Sequence, residues 1–144
     1  MTPPDNPHPD VPLPVPEPVF DADTEPFWRG AGEGKLLLTR CDECGAYVWI
    51  PRPYCPFDLS PTRWVEASGR GVVYSHTTVH RGERAYAKRP PFVLAYVELD
   101  EGPRVLTNIV GCDPAAVTIG MPVRTVFDAV EGSDGVAVPR FAPG

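Results

Sequence analysis

From Gly71 onward, short apolar or alternating runs are separated by turn-forming residues. Gly71–His80 (GVVYSHTTVH) is rich in β-branched residues and predicts a first strand, and Phe92–Leu99 (FVLAYVEL) predicts a second. Asp100-Glu101-Gly102 is a turn signal, and Arg104–Val110 follows as a third strand. Asp113-Pro114 has the cap-then-proline start of a short helix. Gly120-Met121-Pro122 turns the chain into Val123–Ala129, and Val136–Phe141 completes a set of five strands. Five strands with a short helix between the third and fourth suggest a closed or partly closed barrel, although periodicity alone does not separate a barrel from a sandwich.

The first half is patterned differently. Residues 21–33 predict a short helix, with Asp23 or Thr24 as its cap and Pro26 tolerated in the first turn. Gly30, Gly32 and Gly34 weaken that helix beyond its second turn. Phe27 and Trp28 are two aromatics on one short helix, so they must dock, either into the chain's own core or onto a partner surface. Two further apolar runs follow, KLLLTR at 35–40 and YVWI at 47–50. Residues 1–18 contain eight prolines and little that can build a core, so they predict an extended leader. The expected organisation is a proline-rich linker or tail over 1–19, a helix and cysteine knuckle over 20–68, and a barrel over 69–144.

Charge changes the picture mainly by exclusion. Residues 1–68 carry 5 basic and 11 acidic side chains, a net of −6, whereas residues 69–144 carry 8 of each. Nucleic-acid affinity rests largely on neutralising phosphates, so this balance argues against a general DNA or RNA binder. No apolar run approaches the ~20 residues that span a bilayer, and the amino terminus lacks the basic-then-apolar form of a signal peptide. A cytoplasmic protein with no membrane association is the expectation.

Three of the four cysteines fall within residues 41–55, which suggests a metal site rather than a disulfide framework. Cys41-x2-Cys44 places two thiolates on one tight turn, and the following Gly45 frees backbone amides to turn toward sulfur. The second half reads Cys55-x2-Asp58, so a Cys41, Cys44, Cys55, Asp58 site is chemically sound, because aspartate also ligates zinc. A ribbon held by packing alone is the alternative. A cysteine-dominated site is structural rather than catalytic, and Cys112 reads as an ordinary buried cysteine.

Candidate catalytic groups are sparse. His76 and His80 fall four apart on one strand with Tyr74 at the same parity, a base and a phenol that can support proton transfer. The plainer reading is a polar, solvated strand face. No nucleophile motif, glycine-rich phosphate loop or convincing carboxylate pair is present. Arg81–Arg89 (RGERAYAKR) holds four positive charges and one negative. As a loop after the first barrel strand, its Arg81, Arg84, Tyr86, Lys88 and Arg89 can meet an anionic ligand, or they form a solvated hairpin tip.

The ordered set of parts resembles a known family. A helix carrying Phe27-Trp28, a CxxC…CP ribbon, Trp64-x3-Ser68-Gly69-x-Gly71 leading into VYSHTTVH, a strand ending LDEG, and Ile119-Gly120-Met121-Pro122-Val123 together look like the DUF35 family over roughly residues 20–130. That resemblance implies a mainly β protein: a short N-terminal helix, a rubredoxin-like zinc ribbon, then a five-stranded OB-fold barrel. It implies zinc at Cys41, Cys44 and Cys55, with Asp58 standing where the fourth cysteine would be. It also implies a non-catalytic accessory subunit of a thiolase-superfamily acyl-CoA enzyme. The proline-rich leader is similar to the linker of the branch attached to a steroid side-chain hydratase subunit, whose thiolase-like aldolase cleaves a β-hydroxyacyl-CoA. The expected partners are therefore a thiolase-fold aldolase or thiolase, a hotdog-fold hydratase reached through the leader, and acyl-CoA. The alternatives are a stand-alone acyl-CoA-binding or weakly catalytic OB-fold protein, and a nucleic-acid-binding OB-fold.

Overall fold

A computed structural model describes residues 12–87, 91–133 and 135–144. The first helix, α1 (Glu25–Gly32), carries Pro26 in its first turn. Thr24 stands at the N-cap but makes no side-chain cap bond, contrary to expectation. The preceding turn is tied instead by Asp21, whose Oδ1 accepts from the amides of Asp23 and Thr24, both at 3.1 Å, and from the Thr24 hydroxyl. The helix buries Phe27, Gly30 and Ala31 and leaves an exposed Glu25–Arg29 ion pair outside.

Gly32 lets α1 approach the barrel. A Cβ there would lie 2.1 Å from the Gly135 carbonyl oxygen, a distance no side chain tolerates.

Strand β1 (Leu37–Cys41) forms an antiparallel sheet between β2 (Tyr47–Val48) and β3 (Thr62–Glu66). The apolar runs at 35–40 and 47–50 cover β1 as far as Arg40 and all of β2, but β3 was not anticipated. Thr39 is buried in this sheet, and its hydroxyl donates to the Val48 carbonyl at 3.0 Å and accepts the Arg52 amide at 3.3 Å.

The barrel strands are β4 (Arg70–Val79), β5 (Phe92–Leu99), β6 (Arg104–Ile109), β7 (Pro122–Ala129) and β8 (Ala137–Pro143). They close in the order β4-β5-β6-β8-β7, antiparallel throughout except for the parallel β6–β8 contact at Ile109 and Phe141. This closure settles the barrel-or-sandwich question in favour of the five-stranded OB-fold. The helical turn before β7 is a single 3-10 turn at Pro114–Ala116, capped by the Asp113 carboxylate accepting from Ala115.

One hydrophobic core runs through both halves of the chain. Phe27, Leu36, Leu38 and Ala67 join Val73, Val97, Ile109 and Phe141 from the barrel. Leu38 and Val97 are completely buried. Burial of such side chains contributes roughly 1.5–3 kcal/mol each, which seats the cysteine-bearing sheet firmly on the barrel. Residues 12–17, expected as part of a linker or tail, also lie against the barrel: Leu13 is buried, and carbonyls of this stretch accept hydrogen bonds from Arg140. Residues 1–11 of that leader fall outside the described residues.

Candidate functional site

The cysteine knuckle is built from two similar turns. In the first, Cys41 ends β1, the Cys41 amide donates to the Ala46 carbonyl at 2.8 Å, and Gly45 takes a left-handed φ of +74° that brings the chain around. The Cys44 amide then points at Cys41 Sγ at 3.4 Å. In the second, the Cys55 and Leu59 amides close the loop, and the Phe57 amide points at Cys55 Sγ at 3.4 Å. Asp58 is oriented by the Ser60 amide, which donates to its Oδ1 at 2.9 Å.

These turns bring Cys41, Cys44, Cys55 and Asp58 together, with one ligand atom of each within 4.8 Å of all the others. Cys44 Sγ and Cys55 Sγ are 3.7 Å apart, and Cys41 Sγ lies 3.4 and 3.5 Å from the two Asp58 oxygens. Ligands of a tetrahedral ion with Zn–S of about 2.3 Å sit about 3.8 Å apart, so the donor set fits a structural zinc ion. Cys41 and Cys55 are buried while Cys44 is exposed.

Cys41, Cys44 and Asp58 differ in their electrostatics. Burial pushes the Cys41 thiol up, but the amides of Cys44 and Glu43 and its sulfur neighbours outweigh it and hold it below the ordinary value. For Cys44 the Ala46 amide pulls down, while Cys41, desolvation, Cys55 and the Asp58 charge raise it to about 11. The Ser60 amide leads the groups that keep the Asp58 carboxyl below its usual range. A divalent ion bound here would deprotonate all of its thiol ligands. Cys112 lies on the barrel side, partly buried, where desolvation and then the Asp113 charge raise its thiol.

Beside the knuckle, an apolar cleft of about 280 Å³ opens where ribbon, helix and barrel meet. Phe27, Trp28, Trp49, Ile50 and Leu106 are among its walls. Of the two surfaces left open for Phe27, the chain's own core takes it. It is buried in the chain's own core, edge-on to Trp28 at 5.0 Å and to Trp49 at 5.3 Å. Trp28 is only partly buried and faces the cleft.

The apolar surface continues beyond the cleft. Leu106 is 55% exposed and pairs directly with exposed Tyr96 on β5, with Leu94 two residues along. Tyr74 adjoins them, its ring covered by the Arg104 guanidinium at 3.8 Å. Arg104 is in turn paired with Glu98, whose hydrogen bond raises its pKa further. Sequence reasoning missed this face. Its signal was present in Leu94 and Tyr96 of FVLAYVEL and Leu106 of RVLTNI, outward positions that are apolar where a solvated strand would be polar.

The proposed proton-transfer group does not assemble. Tyr74, His76 and His80 are all exposed, as the plainer reading of a solvated strand face expects, and a bulge between Val73 and Ser75 breaks the parity that put them in line. His80 lies just past the end of the strand. In the basic loop, Arg81 and Arg84 are exposed, Arg84–Tyr86 forms a 3-10 turn, and the Tyr86 ring packs 5.2 Å from Phe92. Lys88 and Arg89 lie outside the described residues. No helix among the described residues is long and apolar enough to cross a membrane.

Comparison with known proteins follows the same division. A family profile described as the ChsH2 rubredoxin-like zinc ribbon domain matches residues 28–62, and one described as the ChsH2 C-terminal OB-fold domain matches residues 64–128. A DUF35 domain-containing scaffold protein of Methanocaldococcus jannaschii is 38% identical over 114 residues, covering 76% of this chain and 81% of that protein. The 3-oxo-4,17-pregnadiene-20-carboxyl-CoA hydratase alpha subunit of Mycobacterium tuberculosis is 40% identical over 111 residues, covering 76% of this chain but 35% of that protein. The chain thus spans about a third of that longer relative. Among solved structures, a chain titled Ltp2-ChsH2(DUF35) aldolase superposes with a TM-score of 0.76 at 34% identity, covering 88% of this chain and 98% of that one.

Proposed function

The chain belongs to the DUF35 family, in which a rubredoxin-like zinc ribbon is joined to an OB-fold, and from that premise we propose that it is a non-catalytic accessory subunit of a thiolase-superfamily acyl-CoA enzyme. The observation that carries this reading is the apolar surface running unbroken from Trp28 and Ile50 in the cleft, across Leu106, to Tyr96 and Leu94 on the barrel. Contiguous exposed apolar area of this kind marks a protein interaction site. The two parts of the chain share one core, so they present that surface to a partner as one rigid piece.

The finer reading follows the relatives' names. The aldolase title of the solved structure and the steroid acyl-CoA name of the hydratase subunit support a retro-aldolase partner that cleaves a β-hydroxyacyl-CoA in steroid side-chain degradation. In this arrangement the partner supplies acid, base and any nucleophile. The chain would order the partner's loops and shape the acyl-CoA entrance, with Trp28 at the contact. Arg81, Arg84 and Tyr86 would meet the anionic CoA tail. Lys88 and Arg89 complete the same basic run. A hotdog-fold hydratase is the second proposed partner, reached through the leader. Zinc in the Cys41, Cys44, Cys55, Asp58 site would hold the ribbon tip closed and take no part in the chemistry.

The test is co-expression with the thiolase-fold protein encoded beside it, followed by size exclusion and an acyl-CoA cleavage assay against each chain alone. A stable complex active only with both chains supports the proposal. Separate elution with no gain on mixing refutes it and favours an isolated acyl-CoA-binding barrel. Within an active complex, the paired Arg81→Ala and Arg84→Ala changes should raise KM for the acyl-CoA, and an unchanged KM removes the loop from the site.

A further inference from the structure

Arg140 on β8 is 2% exposed, a cation withdrawn almost entirely from water. Its Nη1 donates to Asp128 Oδ2 on β7 at 2.6 Å. The same nitrogen reaches the Leu13 carbonyl at 3.5 Å, and Nη2 donates to the Pro14 carbonyl at 2.5 Å. The Tyr86 hydroxyl donates to that Pro14 carbonyl as well, at 3.5 Å. Leu13 is 5% exposed against the barrel, and the Glu17 carboxylate accepts from the Ser133 hydroxyl at 3.4 Å. Arg140 Nε is the one buried side-chain polar atom without a partner among the described residues.

We infer that Asp128, Arg140 and Tyr86 form a recognition groove for a polyproline-type segment, which in this chain is occupied by its own residues 12–17. The chemistry of the segment fits the chemistry of the groove. Pro12, Pro14, Pro16 and Pro18 alternate with Leu13, Val15 and Glu17. Each proline lacks an N–H, and an extended proline-rich chain makes no internal hydrogen bonds, so its carbonyls are free to accept from outside. A guanidinium offers five donors in a fixed fork and Asp128 takes only part of them, so two successive carbonyls take up more of the fork at Nη1 and Nη2. Aromatic and polar donors facing a stiff proline segment are the general mode by which such segments are recognised, because little ordering entropy is lost on docking.

The groove also needs an occupant. Without residues 12–17, a guanidinium that is fully buried in the folded chain would lose its two carbonyl partners and be left with Asp128 and water. Undocking therefore exchanges two carbonyl contacts and the buried Leu13 side chain for water. The leader is therefore a built part of this fold, held in place by Arg140. It also ties the Arg81–Ala87 loop to the barrel end through Tyr86. None of this depends on the partner proposed above.

The test uses the full chain and a synthetic peptide of residues 12–19. Leu13→Asp puts a charge on a side chain that is 5% exposed, which should release the segment and vacate the groove. Isothermal titration should then show the peptide binding this variant at least about tenfold more tightly than the unaltered chain, whose own segment competes at a high effective concentration. A peptide carrying the same Leu13→Asp change should not bind. Equal binding to both chains, binding to neither, or binding of the altered peptide overturns the inference. In case the variant does not fold, nuclear Overhauser contacts between Leu13 methyls and β7–β8 protons are expected in the unaltered chain, and their absence overturns it equally.

Discussion

Asp58 is the residue on which the metal site departs from a four-cysteine ribbon, and its removal gives a sharp prediction. Structural zinc sites bind with an apparent free energy of about 10–16 kcal/mol over four ligands. Shared evenly, one ligand accounts for about 2.5–4 kcal/mol, and each 1.4 kcal/mol is a tenfold change. Asp58→Ala should therefore weaken zinc binding by roughly 100- to 1000-fold. The Ser60 amide already holds the carboxylate 3.4–3.5 Å from Cys41 Sγ, so little is lost to reorganisation when the ion binds, and the upper part of that range is expected. Asp58→Cys, which restores a thiolate at the same place, should retain the zinc. The assay is competition against a chromophoric chelator, with metal content of the purified chains as a check. If Asp58→Ala holds zinc as tightly as the unaltered chain, the fourth ligand is not Asp58 and the assignment fails. Loss of binding in Asp58→Cys would contradict the tetrahedral geometry instead.

Zinc affinity should fall as pH falls from 8 to 6, because the Cys44 thiol, raised to about 11 without metal, must lose its proton to bind; an affinity flat across that range would contradict thiolate ligation. In the metal-free chain the sign reverses for this one group. A folded pKa raised from 9.0 to about 11 stabilises below pH 9 and is lost toward pH 11, so thermal melts of the chelated chain should fall in that window and flatten in Cys44→Ala. Gly32→Ala should cost about 1–3 kcal/mol in chemical denaturation, since the new methyl meets the Gly135 carbonyl and backbone must move. Leu106→Asp, on a 55% exposed side chain, should leave stability within about 0.5 kcal/mol but weaken a partner complex by about 30-fold or more, measured by titration; an unchanged complex would clear this face of the interface.

What the sequence disclosed depended on whether the governing interaction was local. Phe92–Leu99 was legible to the residue because alternation and its flanking turns are written in consecutive positions. The metal ligands were legible because Cys41-x2-Cys44 and Cys55-x2-Asp58 encode their own turns. β3 was not, because Thr62–Glu66 is a strand through its pairing with β1 and follows a run of prolines that reads as loop. The bulge at Tyr74 defeated a parity argument that assumed an unbroken β4. Residues 12–17 were read as part of a linker, since the contact that fixes them comes from Arg140, over 120 residues away. Phe27 was ambiguous for a related reason: an aromatic on a short helix does not announce which surface buries it.

The boundary between the two family profiles falls between residues 62 and 64, inside β3. A cut there would leave β1 paired along only one edge and strip Trp64 and Val65 from the sheet that they complete. The ribbon and the barrel are thus two units of descent but one unit of construction. Transplanting either onto another scaffold requires carrying β3 whole, together with the Leu36 and Ala67 contacts that flank it.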